Sequence, residues 1–508
     1  TNTNQHVAFN RMMSREASIG IDGVYYNPAG VVFMSEGHHL AINWQLAFQT
    51  RTINNDYALF TNNVNNPITP RDFKGTAFAP VIPSFQYAYN KGKWSFQASF
   101  ALTGGGGKCT FDDGLGSFEK IVAETAIAAC QLAGAVDQVA GAYGVPAIFS
   151  SNQVFGTEGK YSYNSYMHGR QYYYGLSAGA AYKFSDNFSA FLGVRGVYAL
   201  TNYYGYVENI QVGQMPLYKV LNPAKESSAN IELSCDQSGV GFTPIIGVDY
   251  KTGRWNFSAK YEFKTRIRLK NKSVNQTPSI GNLPANLANQ MTGILTAKYQ
   301  QAGLPLEQAK QQAENTTNAV LNDPTVGATM MGLKTQFDQK LNKAIGEYED
   351  GKKIAGDIPA YLALGVGYSP VDAVRVNAGF HWFDDKNATS YNNRNKELKR
   401  GTLEYNAGVE VDVNKKITLS TGWQNTNYGL SDEYMDDKSF VVSSNSVAIG
   451  GVYHINKKMD LNVAYFHTFY QHKKTTEKVQ LTADRSLNYS SDYTRNNNVF
   501  AVGLDINF

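Results

Sequence analysis

The chain has 508 residues, of which 17% are charged and 13% aromatic, and its formal net charge is only +4 at pH 7. Disorder is excluded because apolar residues are plentiful, and no nucleic-acid partner is expected because Lys and Arg are scattered singly along the chain. A helical membrane protein is excluded too, since no window offers the roughly 18 uncharged apolar residues of a spanning helix.

Residues 1–39 come first and show no strand periodicity. No signal peptide is visible at Thr1, so the chain is either cytosolic or numbered from a mature N-terminus after cleavage. Near its end the segment carries Gly23, followed by Asn27-Pro28-Ala29 and Gly30. We expect residues 1–39 to form a unit distinct from the remainder of the chain, residues 40–508.

From Leu40 onward, segments of about ten residues alternate between large apolar residues and small or polar ones, the period of a strand with two different faces. The last strand shows this best, because its apolar face is Phe500, Val502, Leu504, Ile506 and Phe508. The pattern predicts about 14 strands, among them Leu40–Thr50, Phe85–Tyr89, Trp94–Thr103 and Tyr172–Phe184.

The connections between these strands are of two kinds. Six are short polar turns, such as residues 90–93, whereas the longest loops are predicted at residues 104–171, 201–239 and 264–359. An even number of strands with short turns on one side and long loops on the other is typical of bacterial outer-membrane barrels, and loops this long count against a soluble domain. The sequence therefore predicts an all-β fold, a transmembrane antiparallel β-barrel whose apolar face meets lipid.

A barrel of this size is too wide for its wall side chains to fill, so it needs either an open channel or a plug. Residues 1–39 are long enough to be an N-terminal hatch in the lumen. The third predicted strand is followed by Gly104, Gly105, Gly106 and Gly107. Glycine weakens strand pairing and allows bends, so this run is either an irregular part of the wall or a flexible start of the outer loop.

Two of the long loops carry apolar residues at helical spacing. One stripe includes Phe118, Ile121 and Val122, and another includes Met291, Ile294 and Leu295. A third stripe is formed by Phe337, Leu341, Ala344 and Ile345. Either these partly helical outer loops bury their stripes against each other as a cap, or part of a stripe lines an apolar groove for a ligand.

Charged and sulfur-bearing residues give weaker signals. Arg170, Arg266 and Arg268 lie where predicted strands leave the membrane, so they are candidates for binding a carboxylate or are simply solvated rim charges. Cys109 and Cys130 fall in one predicted loop and could be joined, which would leave Cys235 unpaired.

Catalytic and metal-binding motifs are weak. The spacing Gly-x-Ser-x-Gly occurs at Gly175–Gly179, but it lies inside an alternating strand rather than at the strand-turn-helix elbow of a hydrolase. His38 and His39 are adjacent on a strand and so point to opposite faces, which argues against a metal pair. We expect no enzyme activity, cofactor or metal.

The segment from Ala17 to Gly30, with Asn27, Pro28 and Ala29 at its centre, resembles the hatch of the outer-membrane long-chain fatty acid and hydrocarbon transporters of the FadL/TodX type. Ile358–Tyr368 looks like the strand that opens after the family's long loop. The resemblance implies a monomer in the bacterial outer membrane, with its signal peptide removed, that contacts lipid and takes up hydrophobic molecules, long-chain fatty acids or aromatic hydrocarbons. It also implies capture by apolar outer loops, gating by the hatch and lateral release through the barrel wall.

Two other functions fit a barrel with long loops. A general diffusion porin would admit hydrophilic solutes, but porins are constricted by a charged inward loop, whereas the loops here carry apolar stripes. A surface adhesin would use the long loops alone.

Overall fold

The computed structural model describes residues 3–151, 154–278, 282–482 and 484–508. Within these residues, fourteen antiparallel strands each pair with their chain neighbours, and pairing of the last strand with the first closes the ring. The predicted fold is confirmed. The wall strands are β1 Gly37–Tyr57, β2 Arg71–Lys91, β3 Trp94–Phe111, β4 Tyr161–Lys183, β5 Phe188–Val212, β6 Ile231–Thr252, β7 Trp255–Glu262, β8 Tyr361–Val371, β9 Val374–Phe383, β10 Thr402–Asn414, β11 Ile417–Asn427, β12 Ser444–Asn456, β13 Met459–Tyr470 and β14 Arg485–Asn507.

Alternation sorts the wall side chains into an apolar exterior and a polar interior. Outward residues such as Phe242 and Leu192 are 70% and 68% exposed, whereas inward residues such as Gln97 and Ser189 are buried. A row of exposed apolar side chains around a closed barrel is the surface that lipid requires. Glycines close the tight turns after β2 and β6, where Gly92 and Gly253 have φ values of +58° and +55°.

Several strands are longer than the sequence predicts. β1 runs on to Tyr57, β3 to Phe111 and β5 to Val212, while β2 begins at Arg71 rather than Phe85. The predicted outer loops 104–171 and 201–239 therefore begin and end as strand. Above the apolar band the outward face meets water, so the alternation fades although the backbone ladder continues.

A helical cap covers the long-loop end of the barrel. Its helices are α3 Gly116–Ala142, α4 Tyr218–Leu221, α5 Leu283–Gln301, α6 Leu306–Leu321 and α7 Pro324–Ile345. Asn282 caps α5 by accepting a hydrogen bond from the Ala285 amide at 3.2 Å. None of the helices in the described ranges is long and apolar enough to cross a membrane.

Shorter elements complete the chain. The loop strands are Met215–Pro216, Arg268–Ser273, Lys353–Ala355 and Lys473–Thr482. The short 3₁₀ helices outside the N-terminal segment are Ala58–Asn62, Glu226–Ala229, Gly346–Tyr348, Asp385–Asn387 and Tyr391–Glu397.

The N-terminal segment, residues 3–36, folds into α1 Val7–Met12, α2 Gly23–Tyr26 and the 3₁₀ turn Gly30–Phe33. All six residues of α1 are buried. The segment hydrogen-bonds to inward side chains from separate sectors of the wall, including Gln86 of β2, Asp249 of β6 and Asn377 of β9. These partners surround it, so the segment lies across the barrel interior.

Candidate functional site

The tripeptide Asn27-Pro28-Ala29 ties the N-terminal segment to one sector of the wall. Asn27 Nδ2 donates to Asp249 Oδ2 at 2.6 Å, and the carbonyls of Pro28 and Ala29 accept from Gln97 and Ser189, both at 2.7 Å. The Asn27 side chain also accepts from the Gly30 amide at 3.2 Å. A polar side chain that bonds to both its own turn and the wall explains why this sequence pattern can anchor the segment.

Gly23 and Gly30, the two predicted hatch glycines, are packed closely. A Cβ on Gly23 would come within 3.0 Å of the Val31 side chain, and one on Gly30 within 3.2 Å of Asp249 Oδ2. A larger residue at position 23 would press on Val31 within the segment, and one at position 30 would collide first with the Asn27 side chain that anchors the segment to the wall.

On the opposite sector, buried charges hold the segment. Glu16 Oε1 lies 2.7 Å from His381 Nε2, whose other ring nitrogen lies 2.8 Å from Glu404. Arg11 pairs with Glu410 and donates to Ser420 at 2.9 Å. Removing one partner of a buried pair typically costs about 3–5 kcal/mol, because the other charge is left without compensation.

Two carboxyls within the segment have lowered pKa values. Burial alone would raise the pKa of Asp22, but Arg15, whose Nε lies 2.7 Å from Asp22 Oδ2, outweighs it and holds this pKa below its usual value. Burial likewise raises the pKa of Glu16, but the neighbouring His381 outweighs this effect, so the pKa of Glu16 is also lowered. Both carboxyls are therefore ionised at neutral pH, as their pairing requires.

We expect Asn27→Ala to loosen the segment without unfolding the barrel. The change removes one of the two donors to Asp249 Oδ2 and leaves Asn256 at 2.9 Å. A hydrogen bond to a charged group contributes about 1.5–3 kcal/mol, so amide exchange in α2 should accelerate by about 10- to 100-fold. Hydrogen exchange with mass spectrometry measures this. Asn202→Ala, on the barrel exterior, is the matched control, and equal exchange in α2 for both variants would contradict the anchoring role.

Above the segment lies a cavity of about 430 Å³, within the usual range of small-molecule sites. Phe9 and Met13 line it from the segment, and the wall adds Met167, Tyr203 and Phe466. The lining mixes apolar rings with polar side chains, so it suits an amphipathic molecule.

Two arginines face this cavity from adjacent strands. Arg51 of β1 and Arg495 of β14 are directly opposite in the ladder, and both donate to Gln49 Oε1, at 3.2 and 2.7 Å. Within the described ranges neither guanidinium forms a salt bridge, and Arg495 Nε is buried without a hydrogen-bond partner. Like charges set opposite each other in a sheet are destabilising, so this pair is suited to an anion.

The wall of the cavity is interrupted between β2 and β3. Their ladder pairs Phe85 with Phe100 and then resumes only at Ala77 and Cys109. Pro80 and Pro83 in this part of β2 have no N–H to donate, and the facing part of β3 holds the glycine run. Proline on one strand and glycine on the other account for the break.

The glycine run thus lies inside β3 rather than at the start of a loop. The β3–β4 register shifts between Leu102 and Gly104 and again between Gly105 and Gly107, and Gly105 has a φ of +73°. Gly105 and Gly107 also line the cavity. Gly104 lies against Tyr173, and Gly106 is part of the strand.

The N-terminal segment reaches this break through Gln5. Its side-chain amide donates to the Leu102 carbonyl at 2.6 Å, while its own carbonyl accepts from Ser84 at 2.5 Å and from Gln86 at 2.9 Å. Gln5 therefore bonds to both strands that flank the break, so a movement of the segment would change the contacts there.

The predicted groove residues lie in the cap. Val122, Met291 and Leu295 are buried in its core, with Phe118 and Ile294 packed against them. Ile121 on the same helix is half-buried. As packed, these residues join the helices to one another rather than lining an open groove. Of the third stripe, the side chains of Phe337, Leu341 and Ala344 lie outside the described residues.

The three predicted rim arginines do not face this cavity, and their carboxylate-binding role stays a prediction. Arg170, Arg266 and Arg268 occupy exposed positions on the barrel exterior, because their chain neighbours Gly169, Ile267 and Leu269 take the inward positions. The sequence reasoning missed Arg51 and Arg495, although both stand at positions whose parity in the strand is inward.

Other sequence motifs take no part in the cavity chemistry. Ser177 is in the middle of β4, where it accepts a hydrogen bond from Arg195 Nε at 3.1 Å. Cys109, Cys130 and Cys235 are all unpaired, so the possible Cys109–Cys130 bridge is not formed. In the described ranges, no group of three or more His, Cys, Asp or Glu is placed to hold a metal ion.

Comparison with known proteins identifies a shared fold. No protein-family model and no curated protein matches the sequence. A crystal structure of a Pseudomonas aeruginosa FadL homologue matches with a TM-score of 0.60 and 14% identity, covering 100% of this chain and 99% of that one. A deletion mutant of TodX, a monoaromatic hydrocarbon channel, matches at 0.53 and 13%, covering 99% of both chains. The Pseudomonas putida toluene transporter TodX matches at 0.50 and 14%, covering 99% of this chain and 98% of that one.

Proposed function

We propose that this chain is an outer-membrane transporter of the FadL/TodX type that takes up hydrophobic molecules and releases them sideways into the membrane. The observation that carries the proposal is the continuity of the cavity, the N-terminal segment and the break in the β2–β3 ladder. An apolar molecule crossing an aqueous lumen would lose its burial, whereas a lateral exit delivers it directly to lipid. The N-terminal segment acts as the hatch below the cavity.

The ligand class that best suits the cavity is a long-chain fatty acid. The paired guanidiniums of Arg51 and Arg495 provide planar donors for one carboxylate, and the surrounding rings accommodate an acyl chain. A monoaromatic hydrocarbon, the ligand class of the TodX channel, has no group for these cations. It remains the second candidate because TodX shares the fold.

Uptake of labelled oleate by cells that produce the protein is the direct test. Production should raise uptake well above that of cells with an empty vector, and equal uptake would contradict the proposal. Membrane fractionation and sizing in detergent test the outer-membrane location and the expected monomer. No chemical step or cofactor is needed for this function.

Two further measurements separate the alternatives. A porin would give a large, steady ion conductance in planar bilayers, which the hatch should prevent. An adhesin would use its loops without transport, so replacing residues 264–359 by a short turn should abolish uptake only if the cap captures the ligand.

We expect the double variant Arg51→Gln with Arg495→Gln to bind oleate about 10- to 100-fold more weakly. This factor corresponds to the free energy of one charge-assisted hydrogen bond between a guanidinium and the carboxylate. Oleyl alcohol, which has a similar chain and no charge, should bind the variant and the unaltered protein equally. Titration of the purified protein in detergent measures both ligands. Lys108→Gln with Arg170→Gln, two exposed residues opposite each other in the β3–β4 ladder, is the control of equal charge change. An equal loss of binding for both ligands would mean that Arg51 and Arg495 do not recognise the carboxylate.

A further inference from the structure

A row of cations runs along the barrel exterior beside β6. Between residues 264 and 273 the chain alternates, with Ile267, Leu269 and Asn271 buried toward the interior. The exposed positions between and beside them all carry positive charge. We name these residues, with one from the neighbouring loop strand, the basic strip: Arg266, Arg268, Lys270, Lys272 and Lys353.

Backbone pairing holds the basic strip in one surface. The loop strand Arg268–Ser273 pairs with β6, which sets Lys270 opposite Ser238 and Lys272 opposite Asp236. On its other side it pairs with Lys353–Ala355, which sets Lys270 directly opposite Lys353. The positions are therefore fixed by the ladder rather than by flexible loops.

The basic strip starts at the upper edge of the apolar band. Its first two residues lie beside glycines of β6. A Cβ on Gly239 would lie 2.7 Å from the Arg268 carbonyl oxygen, and one on Gly241 would lie 2.8 Å from the Arg266 carbonyl oxygen. On the exterior of β6 at this level, Val240 and Phe242 are 64% and 70% exposed, as lipid-facing residues are. The strip thus continues upward from the height at which acyl chains give way to headgroups.

The charges of the basic strip are poorly balanced by the protein. Asp357 pairs with Arg268 at 2.9 Å. Asp236, across from Lys272, accepts a hydrogen bond from Asn202 at 2.8 Å. Among the ion pairs of the described residues, none involves Arg266, Lys270, Lys272 or Lys353. Lys270 and Lys353 repel each other across the ladder unless an anion lies between them.

We propose that the basic strip binds the phosphate groups of a phosphorylated glycolipid in the outer leaflet. Position and charge select this occupant, because only a membrane lipid presents phosphate at the edge of the apolar band. Lys and Arg at a membrane surface are the groups that bind anionic headgroups. The proposal rests on the outer-membrane location proposed above but is independent of the transported ligand.

The test uses the full chain in detergent with lipid A bearing two phosphates, the same lipid without phosphate, and inorganic phosphate alone. Lys270→Gln, Lys272→Gln and Lys353→Gln are combined in one variant. Lys91→Gln, Lys93→Gln and Lys457→Gln, exposed at the short turns of the other membrane face, form a control of equal charge change. Native mass spectrometry measures the affinities.

The strip variant should bind the diphosphorylated lipid on the order of 100-fold more weakly, at about fivefold for each lysine, and the control should bind as the unaltered protein does. Equal affinities for the strip variant and the control would overturn the proposal. Inorganic phosphate as tight as the lipid would overturn the lipid assignment. Binding by the unaltered protein should also weaken with salt, and salt-independent binding would contradict it.

If the protein were not in the outer membrane, membrane fractionation would show it, while lipid binding in detergent would persist. An error in the proposed location can therefore be told apart from an error in the proposed lipid site.

Discussion

Oleate uptake is expected to fall to the level of empty cells when positions 79 and 107 are joined by a disulfide. A Cβ on Gly107 would lie 3.6 Å from the Ala79 Cβ, within the separation of about 3.5–4.5 Å that a disulfide needs. These positions lie at the end of the break, two residues from the pair Ala77 and Cys109, so the bond from Ala79→Cys and Gly107→Cys would keep the two strands from separating there. Cys109→Ser is added to prevent exchange with the native thiol.

Reduction supplies the first control for this crosslink, because the same protein treated with dithiothreitol should recover uptake. Thr76→Cys with Thr110→Cys supplies the second, since these residues are already opposite in the intact part of the ladder. Oxidation of that pair should leave uptake within about twofold, because pairing there is unchanged. Full uptake by the oxidised 79–107 variant would rule out the break as the exit.

Deleting residues 1–26 is expected to convert the barrel into an open pore. The wall can survive the loss, because Glu410, His381 and Asn377 would exchange their partners Arg11, Glu16 and Ser18 for water in a wide lumen. Entry of vancomycin or a charged dye into cells should rise by about tenfold or more, and planar bilayers should show steady conductance.

A matched variant replaces α6, Leu306–Leu321, with a short Gly-Ser linker, which alters the cap and leaves the segment in place. It should not admit the dye. Heat-modifiable mobility on gels reports whether each barrel is folded. Unchanged permeability in the deletion variant, with a folded barrel, would mean that the segment does not close the lumen.

Much of the fold was accessible from the sequence because strand alternation is a local property. The side chains on each face of β14 follow from chain position alone, as Phe500 and Val502 outside and Val499 inside demonstrate. The same rule predicted the strand ends poorly, since β3 continues to Phe111 although its outer face is no longer apolar there.

The candidate site was only partly accessible. Asn27 was identified from a pattern, but its wall partner Asp249 lies 222 residues away in the chain, and no local spacing announces that contact. Pro80 and Pro83 precede the predicted start of the second strand at Phe85, so the sequence did not place them in the wall, and the break also requires that Gly105 and Gly107 face them. The predicted rim arginines lie outside the cavity, because a rim position does not say which face of the wall a side chain occupies.

The sequence by itself determined the class of fold, the strand parity and the polar or apolar character of each face, because these depend on neighbouring residues. Register and closure were decided only in the tertiary structure, since they depend on pairing between distant strands. Arg51 and Arg495 illustrate the division. Parity alone turns each one inward, but only the closing pair of β1 with β14 sets them opposite each other, where two like charges share one cavity.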